Sequence, residues 1–146
     1  MPEREPNPHH LLVCSENTVA LEYFRDESNK DSLVEKVDLC YIDPPYNTGN
    51  TSSSGFVYND SMRKDALALG IAHHAPWLNF MKKRLEPAIP LLKDTGVIIV
   101  SIDDSEVHRL RVLMDDLFGE RNFIAQVIVD GGNPKNNARF LSVTHE

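Results

Sequence analysis

Two apolar runs constrain this chain most: Val37-Asp38-Leu39-Cys40-Tyr41-Ile42 and Val97-Ile98-Ile99-Val100-Ser101-Ile102, each followed by an aspartate. Short runs of this kind, bounded by breakers and rich in β-branched residues, read as buried strands. Pro44 and Pro45 must end the first, and Gly96 opens the second. Stretches with a helical period lie around them. Trp77, Phe80, Met81 and Leu85 share one helix face; Val107, Leu110, Leu113, Met114 and Leu117 share another. Apolar strands alternating with amphipathic helices define an α/β chain with a mostly parallel, helix-covered sheet. Such sheets bind ligands beyond the carboxyl ends of their strands, where Asp43 and Asp103 both stand.

The remaining segments follow from the same rules. Residues 1–10, with three prolines and several charges, form a loose lead-in, and residues 11–146 form the domain. Leu11-Leu12-Val13-Cys14 reads as a short strand or the end of one. Asn17 to Arg25 carries Val19, Ala20, Tyr23 and Phe24 at helical spacing. From Asn47 to about Leu69 the composition turns to Asn, Thr, Ser and Gly, a long functional loop with a lid-like Ser52-Ser53-Ser54-Gly55. Pro76 suits a helix start, and Pro87 and Pro90 are expected to bend or stop that helix early. Asp103 or Asp104 suits an N-cap, with Glu106 completing a capping box, and Gly119 closes the helix. Phe123 to Val129 reads as a further strand, and Gly131 to Pro134 as a turn.

The chain has 146 residues, enough for one domain with its own core. Its apolar runs are too short to span a bilayer, and the first ten residues lack the apolar core of a signal peptide. Cys14 and Cys40 make no disulfide framework; both sit in apolar contexts and read as core. A cytoplasmic location is the default expectation. The histidine pairs His9-His10 and His73-His74 are adjacent and cannot aim together at one ion, so no metal site is expected. The net charge of −7 argues against a broad grip on a polyanion by this chain alone. Lys82-Lys83-Arg84, Arg109 with Arg111, and Lys135 with Arg139 are local basic clusters; each has a solvated face as its plainer alternative, and that reading is preferred for Arg109 with Arg111.

The chemistry is carried by Asp43-Pro44-Pro45-Tyr46. At average composition this tetrapeptide arises by chance on the order of once in a thousand chains of this length. The exocyclic amine of adenine is a poor nucleophile, because its lone pair is delocalised into the ring. A carboxylate and a backbone carbonyl, each accepting one N–H, push that nitrogen toward tetrahedral and aim the lone pair at a sulfonium methyl group. Asp43 supplies the carboxylate and Pro44 the carbonyl. Pro44 and Pro45 fix φ and remove N–H donors, so the acceptors are rigid and unopposed. Tyr46 offers a ring face to a base swung out of the duplex, and Asn47 extends the motif toward that base. This chemistry needs no cysteine nucleophile. Asp103 and Asp104 serve equally well as caps or as contacts to a cofactor. The plainer reading of the motif is a prolyl strand end with Asp43 capping a turn.

Asp43 to Gly49 resembles the catalytic motif of the modification subunits of type III restriction-modification systems, which are beta-class amino-methyltransferases. The likeness runs from Leu11 onward. It takes in Phe56 to Asp60, Trp77 to Met81 with Arg84-Leu85, Leu91 to Asp104, Phe118 to Gln126 and Thr144 to Glu146. It implies a Rossmann-like, S-adenosylmethionine-dependent fold and methyl transfer to adenine N6 in DNA. It also implies a cofactor site that includes Asp43, Glu16, Asn17 and Asp103. Partners implied are DNA, a restriction subunit or complementary methyltransferase fragment, and a second copy in a homodimer. The sequence departs from the family at three places. Ser15-Glu16-Asn17 stands for Gly-Asp-Asn; Val129-Asp130 replaces an aromatic and a basic residue; and Pro87 and Pro90 interrupt a helix. In the beta class a glycine-rich cofactor loop follows the catalytic motif, and none follows here before Glu146. The domain is therefore expected to be incomplete at its C-terminal side, as a truncated gene, a fragment or one piece of a split enzyme. Cytosine N4 is the neighbouring target, though relatives acting there more often carry Ser at the position of Asp43. An inactive assembly piece, or a protein or RNA methyltransferase, which usually has Asn at that position, are the other classes.

Overall fold

The computed structural model describes residues 11–48 and 74–129. The expected lead-in, the Ser52–Gly55 lid, most of the long loop, His9, His10 and His73, the turn at Gly131–Pro134, and Lys135 with Arg139 lie outside those residues.

The chain runs α1 (Asn17–Arg25), β1 (Val37–Ile42), α2 (Ala75–Ala88), a 3-10 turn (Ile89–Leu91), β2 (Leu92–Val100), α3 (Val107–Phe118) and a second 3-10 turn (Glu120–Asn122). β1 and β2 pair in parallel, with Leu39 opposite Val97 and Ile42 opposite Val100. The register slips between the Val37–Leu92 and Leu39–Val97 pairs, so Lys93 to Gly96 form an excursion on β2. Gly96 is required there, since a Cβ would stand 2.8 Å from the Val37 carbonyl oxygen. β2 thus begins before the expected Gly96 and ends at Val100, with Ser101 and Ile102 beyond it.

Trp77, Met81 and Leu85 of α2 recur every four residues and, with Leu110 of α3, make the buried core. Ile42, Ile98, Val100 and Ile102 pack against them from the sheet. Alternation sends the intervening residues to the opposite face. There Leu39, Tyr41 and Ile99 stay 57%, 63% and 47% exposed. The helices therefore cover one face of the sheet among the described residues. α1 packs across α2 as well.

Three local expectations are corrected. Leu11 to Cys14 is not a strand; Leu12 is 96% exposed, and Cys14 lies at the surface rather than in the core. Phe123 to Val129 is likewise extended chain without ladder pairing among the described residues, and Val127 is 77% exposed. Both runs have strand composition but no paired neighbour among the described residues, and a strand cannot exist alone. α2 passes through Pro87 and ends only at Ala88. Pro87 and Ala88 are themselves buried, so apolar contact offsets the one N–H a proline removes in a last turn. α3 ends as expected, with Gly119 at φ 88° donating its N–H to the Asp115 carbonyl at 2.8 Å.

Candidate active site

The loop Asp43–Asn47 leaves β1 where β2 also ends, so the parallel register sets its base. Ser101 continues the ladder by donating its N–H to the Ile42 carbonyl at 3.0 Å. Its hydroxyl then donates to Asp43 Oδ1 at 2.6 Å. Asp43 is exposed, and its Oδ2 takes no hydrogen bond among the described residues. The arrangement orients a carboxylate at a strand end with one oxygen engaged and the other open to a ligand donor.

Pro44, Pro45 and Tyr46 are half-buried. The Trp77 indole N–H donates to the Pro45 carbonyl at 2.6 Å. The second proline's carbonyl is thereby engaged by the core. Trp77, expected in the core, is fully buried there and serves the loop through its polar edge.

Asn47 turns the chain with φ 61°, a left-handed conformation that Asn tolerates better than most residues. It is 1% exposed, and its Nδ2 donates to Glu106 Oε1 at 2.5 Å. His74 Nδ1 meets the same oxygen at 2.6 Å. Glu106 is the residue before α3 but makes no side-chain cap bond, so the expected capping box does not form. Asp103 instead closes a local turn, accepting from the Ser105 N–H at 2.8 Å. The Glu106 side chain is drawn away into the buried pocket by Asn47 and His74.

Glu16 and Asn17 stand at the start of α1. The Glu16 carboxylate accepts the Thr18 and Val19 amide N–H groups and pairs with Arg84 at 2.8 Å. The Thr18 hydroxyl, foremost, holds Glu16 below the usual carboxylate range. Asp43 to Tyr46 and Asn47 are brought together with Ser101, Trp77, His74 and Glu106. Glu16 and Asn17 have no bond to that loop among the hydrogen bonds described. The basic clusters are mostly matched by their own carboxylates: Lys82 faces Glu86, Arg109 faces Glu106 and Arg111 faces Asp115. A groove of about 630 Å³ between α2 and α3, lined by residues including Leu78, Lys82, Arg109 and Val112, includes none of Asp43 to Asn47. Among the described residues no three His, Cys, Asp or Glu side chains gather as metal ligands, and no helix is long and apolar enough to cross a membrane.

Sequence reasoning missed Ser101, Glu106 and His74. A lone hydroxyl in an apolar strand was the available signal for Ser101. Nothing local marks Glu106, whose partners lie far away in sequence.

A parallel strand pair with an exposed carboxylate and a prolyl loop at its carboxyl end is the α/β arrangement in which ligands bind beyond the strand ends. Residues 37–146 match the family of N6/N4 methyltransferases described as DNA methylase, and the chain belongs to that family. It is 44% identical over 111 residues to the type II methyltransferase M.KpnI of Klebsiella pneumoniae, covering 75% of this chain and 25% of that one. It is 38% identical over 140 residues to the StyLTI Mod subunit, from a type III restriction-modification enzyme of Salmonella typhimurium, covering 84% and 20%. It is 35% identical over 165 residues to the EcoPI Mod subunit of Escherichia phage P1, covering 99% and 24%. The chain thus spans a quarter or less of the length of these relatives.

Proposed function

We propose that this chain carries the amine-activating part of a Rossmann-like DNA adenine N6-methyltransferase of a restriction-modification system, using S-adenosylmethionine. The observation that supports this most is the Asp43–Pro44 acceptor pair, with Ser101 engaging one Asp43 oxygen and Trp77 engaging the Pro45 carbonyl. One acceptor from each of Asp43 and Pro44 remains, matching the two N–H groups of an exocyclic amine.

An exposed carboxylate at a strand end also fits a sulfonium compound, whose cation is met by the charge of Asp43. Asp103 stands at the end of the neighbouring strand and belongs to the same proposed cofactor edge. Bound there, the sulfonium supplies an electrophilic methyl group. Asp43 and Pro44 hold the amine N–H groups, so the nitrogen lone pair points away from both acceptors. Asp43 is also placed to take the proton that the nitrogen sheds as its new bond to carbon forms and the carbon–sulfur bond breaks. Tyr46 stacks on the extruded base. The relatives' greater lengths, and the charge of −7 here, support a reading in which other parts of the assembly carry the broad DNA grip.

The test is transfer of labelled methyl to mixed DNA by the chain alone and by the chain with any downstream-encoded partner, with Asp43→Ala as control. Transfer that vanishes in the control, with N6-methyladenine as product, supports the reading. N4-methylcytosine would move the target to cytosine. Label that survives Asp43→Ala, or no transfer under either condition, overturns it.

A further inference from the structure

We infer that Glu106 is a positioning residue for the reaction loop, holding Asn47 and with it the Asp43–Tyr46 segment in working shape. This rests on the reading of that loop as amine-activating.

The Glu106 side chain has no exposed surface. Burying a carboxylate is costly unless partners repay it. The simplest role for an acidic residue before a helix is to cap it, yet Glu106 makes no cap bond. Its Oε1 is spent on two residues from elsewhere in the chain, Asn47 Nδ2 and His74 Nδ1. Among the described residues its Oε2 stands 3.8 Å from the Arg109 guanidinium and takes no hydrogen bond. A partly satisfied buried network is a costly way to gain stability alone. This one is half-satisfied, and what it does accomplish is to pin the residue that follows Tyr46.

Asn47 needs such an anchor. Its φ of 61° is disfavoured for any side chain, so the turn persists where surrounding contacts hold it. Two ties then flank Tyr46: Trp77 on the Pro45 carbonyl and Glu106 on the Asn47 amide. Together they leave Asp43 and Pro44 little freedom to swing, which is what acceptors awaiting an amine require.

Trp77 is the chain's single tryptophan, so its indole N–H gives one resonance reporting on Pro45. The experiment compares solvent exchange of that N–H with exchange of the Ile99 and Ser101 amides, which face β1 across the parallel ladder and report opening of the sheet. In Glu106→Ala the indole should exchange about tenfold faster relative to the strand amides. Glu106→Gln, which keeps an acceptor oxygen for Asn47, should stay within about twofold of the parent. Methyl transfer, measured in the complex that supports it, should lose kcat by about tenfold or more in Glu106→Ala, with KM for DNA little changed. Indole and strand amides accelerating in parallel would mean a merely structural residue and overturn the inference. So would an unchanged indole, a failure of Glu106→Gln to rescue, or an unaltered kcat in Glu106→Ala. A parent without methyl transfer overturns the proposed function instead, while the exchange comparison still decides whether Glu106 holds the loop.

Discussion

Replacing Trp77 separates the two jobs this residue performs. Its indole fills the centre of the core at 0% exposure, and its N–H holds the Pro45 carbonyl at 2.6 Å. Trp77→Phe keeps an aromatic ring but removes the donor and part of the volume. The lost atoms cost about 1–2 kcal/mol, less than full truncation because much of the ring remains. The unpaired carbonyl adds about 1 kcal/mol, near the low end because half-buried Pro45 leaves water some access. The expected total is about 2–3 kcal/mol. Urea unfolding followed by far-ultraviolet circular dichroism measures it, since the substitution removes the fluorescent probe. Incorporating benzothienylalanine at position 77 isolates the bond: the ring shape stays and only the N–H is lost. That chain should be destabilised by about 1 kcal/mol, and its Asp43–Asn47 loop should loosen. If it were as stable as the parent while Trp77→Phe still lost the full amount, the N–H would not tie the loop to the core. The account of how Pro45 is held would then be wrong.

Gly96→Ala should cost about 2 kcal/mol or more, because the new Cβ meets the Val37 carbonyl at 2.8 Å and Lys93 backbone at 3.0 Å, none of which can rotate aside; a loss no larger than that of exposed Thr95→Ala, measured by urea midpoint, would refute the close approach. The two thiols should separate cleanly toward a disulfide reagent at neutral pH, exposed Cys14 reacting fast and half-buried Cys40 slowly. Burial pushes the Cys40 thiol up, so its folded form resists ionisation; as pH rises above the unfolded thiol's value of about 8.5, the unfolded chain sheds that proton first and stability falls. Equal rates for the two thiols, or a stability rising across that alkaline range, would contradict the burial of Cys40.

The elements that could be read from residue order are those whose signal is local. α1 spans the Asn17–Arg25 expected from its apolar spacing, β1 spans Val37–Ile42, and α3 stops at Gly119. Leu11 to Cys14 and Phe123 to Val129 misled because strand composition records what a residue prefers, while pairing depends on a neighbour elsewhere in the chain. Pro87 misled because its rule concerns one lost hydrogen bond, whereas the fold weighs that against burial of the whole turn. The site divided the same way. Asp43 to Asn47 is a contiguous segment and could be recognised. Ser101 faces Asp43 only because β1 and β2 run in parallel register, and Glu106 meets Asn47 and His74 only after α2 and α3 have packed.

The uncovered face of the sheet has a calorimetric consequence. Among the described residues, Leu39, Tyr41 and Ile99 already meet water in the native state, and the core cluster closes over four side chains. Heat capacity rises on unfolding in proportion to the apolar surface newly wetted. A chain that starts with so much of that surface wet has less left to expose. Its melting should therefore absorb less heat per residue and spread over a wider temperature range than the ordinary about 0.7 kcal/mol per residue near 60 °C implies. Whatever covers Leu39, Tyr41 and Ile99 would sharpen the transition as much as raise its midpoint.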